Sequence, residues 1–381
     1  MPAYSRDLRF TFVPEHGGAF EVNAFTFEEA LSEPYRLCVQ LSSLDAAANA
    51  GALLDQPALF TIWRGGQPIR HIHGIVSECE RADTGCRRTC YRAVMAPSLV
   101  RAARCSGWRV YQYLTAPEIM ADVVQRLGIA DYEQHTAADH PRRAYCVQAG
   151  DTDLQFLNRL AAEEGYLYRF DHTERSHRLI HADRIHGLGE IQGGPVVYNA
   201  ACGGAPREPA LRRFTFAVRV RTSVPLHRDA AYTNLRYVPQ SARVAADLGM
   251  HDARPGRYVY PGAYPRSEAG KPFTPSLLPG LRRDARVAFA QGDDARLVPG
   301  LAFNLIGHPR QEWNKAWRPV RLRHQGVQHG GHDEAGAGGK RGTRYHCAAE
   351  LIPETADWKP EPGLKPRPSA PLQPDRFSQT A

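Results

Sequence analysis

Residues 145–170 read Tyr145-Cys146-Val147-Gln148-Ala149-Gly150-Asp151-Thr152-Asp153-Leu154-Gln155-Phe156-Leu157-Asn158-Arg159-Leu160-Ala161-Ala162-Glu163-Glu164-Gly165-Tyr166-Leu167-Tyr168-Arg169-Phe170. A short alternating strand runs into a turn, a capped helix follows, a glycine stops it, and a second alternating strand begins. Asp151, Thr152 or Asp153 can accept hydrogen bonds from the free amides of the first helical turn, where acidic groups also suit the helix dipole. Leu154, Leu157, Leu160 and Ala161 form one apolar stripe, with Arg159, Glu163 and Glu164 expected on the solvent side. Gly165 fits the left-handed position just past a helix end. Tyr166, Tyr168 and Phe170 then alternate with Leu167 and Arg169, as in a half-buried strand.

The flanking sequence is mostly β. Before residue 95, Leu8–Phe12, Phe20–Val22, Ala24–Phe27, Tyr35–Leu41, Leu59–Trp63 and Ile69–Val76 are short strand candidates, and Arg64-Gly65-Gly66-Gln67 is a hairpin signal. Such spacing suggests a small closed barrel, completed by a strand from Cys90 to Met95. Thr115-Ala116-Pro117-Glu118 is a capping box opening a helix whose stripe is Ile119, Met120, Val123, Val124 and Leu127. Gly187 to Pro195 and Cys202-Gly203-Gly204 mark loops. Phe214–Val220, Arg257–Tyr260, Ala302–Ile306, Val320–Val327 and Thr343–Leu351 suggest a second barrel, with a helical stretch near Arg282 to Gln291 and a hairpin tip over Gly330 to Gly342. From Pro353 onward prolines recur as in an extended linker. The expected organisation is α+β and mainly β: a first β-barrel over 1–97, a mixed α/β part over 98–206, a second β-barrel with an associated helix over 207–352, and a proline-rich linker over 353–381.

Of 381 residues, 43% are hydrophobic and 23% charged, which fits a water-soluble globular chain of two or three domains. No run approaches the ~20 apolar residues that cross a bilayer, and Met1 to Asp7 lack a signal peptide's basic-then-apolar order, so stable membrane insertion is not expected and a cytoplasmic start is. The formal charge of +8 comes almost wholly from arginine. These arginines are scattered among acids and apolar residues, and on strands they read as rim or interface groups rather than a phosphate track, so nucleic acid is not an expected partner. The eight cysteines have irregular spacing and read as reduced buried thiols. Cys79, Cys86 and Cys90 near His71 and His73 raise a zinc site. The absence of a Cys-x-x-Cys pair and the alternation of the two histidines with Ile72 on a strand favour a structural reading.

Several segments together resemble the VgrG family, the spike proteins of type VI secretion, which are related to the hub proteins of contractile phage tails. They are the 145–170 unit, His71-Ile72-His73-Gly74-Ile75-Val76, Tyr91 to Pro97 followed by Leu99, Trp108 to Ile119, Tyr260-Pro261-Gly262-Ala263-Tyr264, and Leu297 to Phe303 with His308-Pro309. The resemblance implies two similar barrels per subunit set in a homotrimeric ring. Its six barrels would match the sixfold symmetry of an Hcp-like tube protein beside it. It also implies baseplate components and a separate spike or effector as partners, passage through the secretion apparatus, and no cofactor. In the family an OB-fold, a β-helical needle and a PAAR tip follow such a linker; this sequence carries none of them, which suggests a hub fragment or a short hub with its spike on another chain. The residues after Tyr345 also differ from the family's usual asparagine and phenylalanine. A prophage tail hub is the alternative reading.

Gly74, Gly262 and Pro299-Gly300 read as turn or close-approach positions. A hydrolase built on Asp151, Asp153, Glu163, Glu164 or His172 is disfavoured, because no nucleophile elbow, metalloprotease motif or phosphate loop accompanies them. No catalytic or metal residues are therefore assigned. Arg219, Arg221 and Tyr260 are the candidate interface residues, as second-barrel strand positions that would face the ring.

Overall fold

The computed structural model describes residues 8–16, 18–45, 49–84, 88–200, 208–221, 224–228, 240–242, 256–259, 273–328 and 342–361. Six strands form the first barrel: β1 (Leu8–Pro14), β2 (Phe20–Ala30), β3 (Glu33–Ser43), β4 (Pro57–Arg64), β5 (Gln67–Thr84) and β6 (Thr89–Ala96). They pair in the order β1-β4-β5-β6-β3-β2, and β2 returns to β1 through Thr11↔Glu21 and Phe12↔Phe20. Closure removes the exposed edge that an open sheet would carry. The alternation seen in sequence fills the interior with Phe10, Phe12, Phe60, Ile62, Tyr91, Ala93 and Met95. Gly65 and Gly66, at φ 60° and 79°, make the tight β4–β5 turn.

The mixed part follows, with β7 (Ser106–Leu114), α1 (Ala116–Arg126), β8 (Tyr132–His135), β9 (Arg143–Thr152), α2 (Asp153–Glu164), β10 (Leu167–His172) and β11 (His177–Ala182). β7 pairs with β9, and β10-β11-β8 form a three-stranded sheet. Thr152 caps α2 by accepting from the Gln155 amide, while the Gln155 side chain accepts from the Thr152 amide; Gly165 ends the helix at φ 76°. Thr115 and Glu118 make the same reciprocal box at α1.

The remaining elements are β12 (Val196–Tyr198), β13 (Ala210–Val218), β14 (Val224–Arg228), β15 (Gln240–Ala242), β16 (Gly256–Val259), α3 (Phe273–Arg282), β17 (Arg286–Gly292), β18 (Phe303–Ile306), β19 (Ala316–Val327) and β20 (Arg344–Pro353). β14 to β16 make a small separate sheet. The others close a second six-stranded ring in the order β19-β18-β12-β13-β17-β20, with β20 returning to β19. Phe214, Phe303, Trp317, Leu322 and Leu351 lie in its core.

One pairing joins the two rings. The start of β2 closes the first barrel, while its second half, Ala24 to Ala30, pairs antiparallel with Arg321 to Val327 of β19. The start of β19 pairs with β18 inside the second ring. Each long strand therefore belongs to both a barrel and the junction, and twelve strands form one continuous sheet.

Four expectations are corrected. The stretch expected to be helical near Arg282 to Gln291 divides into the end of α3 and strand β17. Its alanines suit a helix locally, but Val287, Ala288 and Ala290 are buried in a strand bonded to β13 and β20, and ring closure overrides the local preference. Strand β10 is not half-buried: Leu167 to Phe170 are all buried, Arg169 included. Not all the thiols are buried, since Cys90 and Cys105 are exposed. The chain after Pro353 is docked as far as Glu361, with Trp358 packed among Leu31, Leu167, Val287 and Val320. Cys86, Cys202 to Gly204, the Tyr260 to Tyr264 motif, residues 330–341 of the expected hairpin tip and the tail beyond Glu361 lie outside the described residues.

Gly74 serves a close approach, as its sequence context suggests. A Cβ there would meet Tyr35 Oη at 2.6 Å and the Ala96 carbonyl oxygen at 2.7 Å. Gly74→Ala is expected to destabilise the protein by roughly 1–3 kcal/mol, the range for overpacking a filled site. Gly187→Ala, where nothing lies within 4 Å, serves as the neutral control. Urea unfolding midpoints of the two variants check this, and equal midpoints would refute the close-approach account.

Candidate interaction surfaces and the joints behind them

A buried polar cluster sits where the barrels meet. Arg70 of β5 donates to Glu29 Oε1 of β2 at 2.5 Å and to the Leu297 carbonyl at 2.6 Å. His324 of β19 lies 2.9 Å from the same Glu29 oxygen, and its other ring nitrogen is 2.6 Å from Tyr345 Oη of β20. A neutral imidazole donating from Nε2 to Glu29 and accepting at Nδ1 from the tyrosine hydroxyl satisfies these two contacts. Burial alone would raise the Glu29 carboxyl; Arg70 and then His324 outweigh it and hold the carboxyl below its usual range. Burial also lowers the His324 pKa, despite the carboxylate beside it.

A second joint ties the first barrel to the β10–β11 hairpin. His177 Nε2 accepts from the Ser98 amide at 3.0 Å, which leaves its Nδ1 to meet His73 Nδ1 at 3.2 Å. His172 Nδ1 lies 3.2 Å from the His73 amide, and Tyr35 Oη donates to the His73 carbonyl at 2.5 Å. His73 and His71 share a β5 face opposite buried Ile72, as the alternation indicates. Among the described residues no group of three or more His, Cys, Asp or Glu side chains has the arrangement to hold a metal ion.

The third joint fastens the second barrel and the docked tail to the mixed part. Arg318 is buried, donating to the carbonyls of Gly189 and Gly300 and reaching Glu354, so this strand arginine is not a rim group. Burial is the chief reason its pKa is lowered. Lys359 donates to the Asp183 carbonyl, and Glu361 accepts from Arg283 at 2.8 Å.

The acidic residues of the α2 region are likewise committed. Asp153 accepts from Arg109 at 2.9 Å and from Gln148 at 2.7 Å, and Asp151 pairs with Arg159. Glu164, expected on the wet face, is instead buried between Arg143 at 2.7 Å and His140 at 2.8 Å, because β9 and the loop before it fold over that side of the helix.

Two of the three candidate interface residues come together: Arg219 and Arg221 both bond the Asp284 carboxylate, Arg219 at 3.3 Å. The guanidinium of Arg219 lies 5.6 Å from the Phe289 ring centroid. Tyr260 lies outside the described residues. Arg70, Glu29 and His324 were not singled out in sequence, where isolated polar residues in strands carry no signal of their distant partners.

Two closed rings in one sheet, bridged by a mixed part, find counterparts among known proteins. The family described as "Phage tail baseplate hub (GPD)" matches residues 28–330. This chain belongs to that hub family. It is 44% identical over 95% of its length to the "Type VI secretion system spike protein VgrG2b" of Pseudomonas aeruginosa, and 43% identical over 95% to VgrG2a of the same organism. It spans 36% and 43% of those relatives, well under two thirds of either. In fold the hub chain resembles the type VI secretion component c3393 of E. coli, with TM-score 0.69 at 18% identity, covering 94% of this chain and 81% of that one. It also resembles a tail protein of Neisseria meningitidis, with TM-score 0.62 at 13% identity, covering 94% and 100%.

Arg70→Met leaves Glu29 buried without its cation and is expected to destabilise the hub by about 3–5 kcal/mol. The double variant Arg70→Met with Glu29→Met is expected to recover most of that loss, as measured by chemical denaturation. A double variant no better than the single would refute the charge-pair account. Acid acts on the second joint. Burial, and then His73, push His177 down to about 4. As pH falls from the unfolded value near 6.5 towards 4, the unfolded chain takes up a proton that the folded one refuses, and stability is lost across that window. His177→Gln, which retains an acceptor for Ser98, is expected to flatten this fall in urea midpoints between pH 6.5 and 4. An unchanged slope would remove His177 from the account.

Proposed function

We propose that this chain is the base of a type VI secretion spike, a structural hub with no catalytic centre of its own. The 44% identity to a secretion spike protein over 95% of the chain carries this reading over that of a prophage tail hub. Three copies close into a ring, each contributing two barrels built from units 1–97 and 207–352, with 98–206 as the mixed part between them and 353–381 leading onward. Six barrels then present a sixfold face to an Hcp-like tube ring, while the trimer axis suits a threefold spike. Baseplate components and a separate spike or effector complete the partners, and the assembly leaves the cytoplasm through the apparatus. The pairing of Asp151, Asp153, Glu163 and Glu164 with arginines supports a structural role. Among the described residues no helix is long and apolar enough to cross a membrane.

Light scattering after size exclusion is expected to give three times the mass of the 381-residue chain, and immobilised hexameric tube protein is expected to retain it. A monomer at the highest soluble concentration, or a trimer that tube rings do not retain, would overturn the adapter reading.

A further inference from the structure

The β7–β9 ribbon has its chemistry inside out. Its inner side carries Arg109, whose guanidinium bonds Gln148 and Asp153 at 2.9 Å each, beside Tyr111 stacked on Phe156. Its outer side carries Trp108, Val110 and Gln112, paired across the ribbon with Ala149, Val147 and Tyr145. Trp108 is 79% exposed, Val110 62% and Tyr145 61%, with exposed Tyr113 beside them. A ribbon folding only for its own core would turn these faces the other way. Taking roughly 150–250 Å² for each aromatic side chain, the four exposed residues offer on the order of 500–600 Å² of mainly apolar surface, beyond what scattered surface residues account for. A standard interface takes about 800 Å² from each partner, so this patch can form the centre of one.

A second exposed apolar surface lies on the second barrel. At the end of β13, Val218 is 70% and Val220 91% exposed, alternating with the candidate interface residues Arg219 and Arg221. Arg219 and Arg221 turn to the other side, where Asp284 holds both, so the valines are left to meet an aromatic face by apolar contact, and aromatic side chains anchor binding at interfaces. A ring closed by rotation brings two different patches of the same chain together, which is what these two surfaces provide.

We infer that the outer face of the β7–β9 ribbon on one copy docks against Val218–Arg221 of the next copy around the ring. This rests on the trimeric hub reading above and names the surfaces that close it. Trp108 is the anchor, with Val110 and Tyr145 flanking it against Val218 and Val220.

The test uses the full chain with a photoreactive benzoylphenylalanine in place of Trp108, mixing isotopically light and heavy copies before irradiation. The expected product is a light–heavy cross-link to the peptide carrying Val218–Arg221. Trp108→Arg combined with Val110→Glu, and separately Val220→Arg, are each expected to reduce the solution mass threefold with the far-ultraviolet circular dichroism spectrum unchanged. A wild-type trimer whose mass survives both variants, or whose cross-links run to another region, would overturn this interface while leaving the trimeric hub intact. A wild-type chain that stays monomeric would overturn the hub reading and this interface with it.

Discussion

The shared contact of Arg70 and His324 with Glu29 is the constraint on which the arrangement of the two barrels depends. A buried carboxylate is tolerated only while its cation and hydrogen-bond donors stay in place. Here those partners come from opposite sides of the junction, since Glu29 and Arg70 belong to the first ring while His324 and the Leu297 carbonyl belong to the second. Separating the barrels would leave the buried Glu29–Arg70 pair without its His324 donor and Leu297 acceptor, so the cluster holds the rings in one register where a purely apolar seam could slide. The backbone pairing of β2 with β19 acts along the same line, and the two reinforce each other.

The other joints follow a similar logic. Histidines kept neutral by burial fasten the β10–β11 hairpin to β5. Arg318 and Lys359 reach backbone carbonyls across the seam between the second barrel, the docked tail and the mixed part. Apolar packing around Trp358 and Leu167 supplies area there, and the polar contacts supply direction. Of the polar groups that sequence offers as possible catalysts, His172 lies in one of these joints and the carboxylates around α2 pair with arginines.

Much of the local architecture was legible. A cap among Asp151 to Asp153, which the structure gives to Thr152, the Gly165 stop, the Thr115–Glu118 box and the Gly65-Gly66 turn each depend on residues within a few positions of one another, and all are present. The errors share one cause. Arg286–Gly292 resembles a helix until β13 and β20 claim it, Glu164 belongs on a wet helical face until β9 and its preceding loop cover that side, and Arg318 passes for a rim arginine until Gly189 and Gly300 surround it. The outward face of β7–β9 passed unnoticed for a related reason: alternation shows that a strand has two faces, but not which one the rest of the chain covers.

The sequence by itself determined the mainly β class, the strand–helix–strand unit at 145–170 and the motifs by which the hub family is recognised, because each is written in neighbouring residues. Tertiary structure decided how the two rings close, how β2 and β19 divide between barrel and junction, and which charges are buried. Glu29 and His324 stand 295 positions apart, and no local periodicity carries information over that distance. Only the paired strands, by bringing them within hydrogen-bond reach, turn two unremarkable polar residues into the joint that orients the whole molecule.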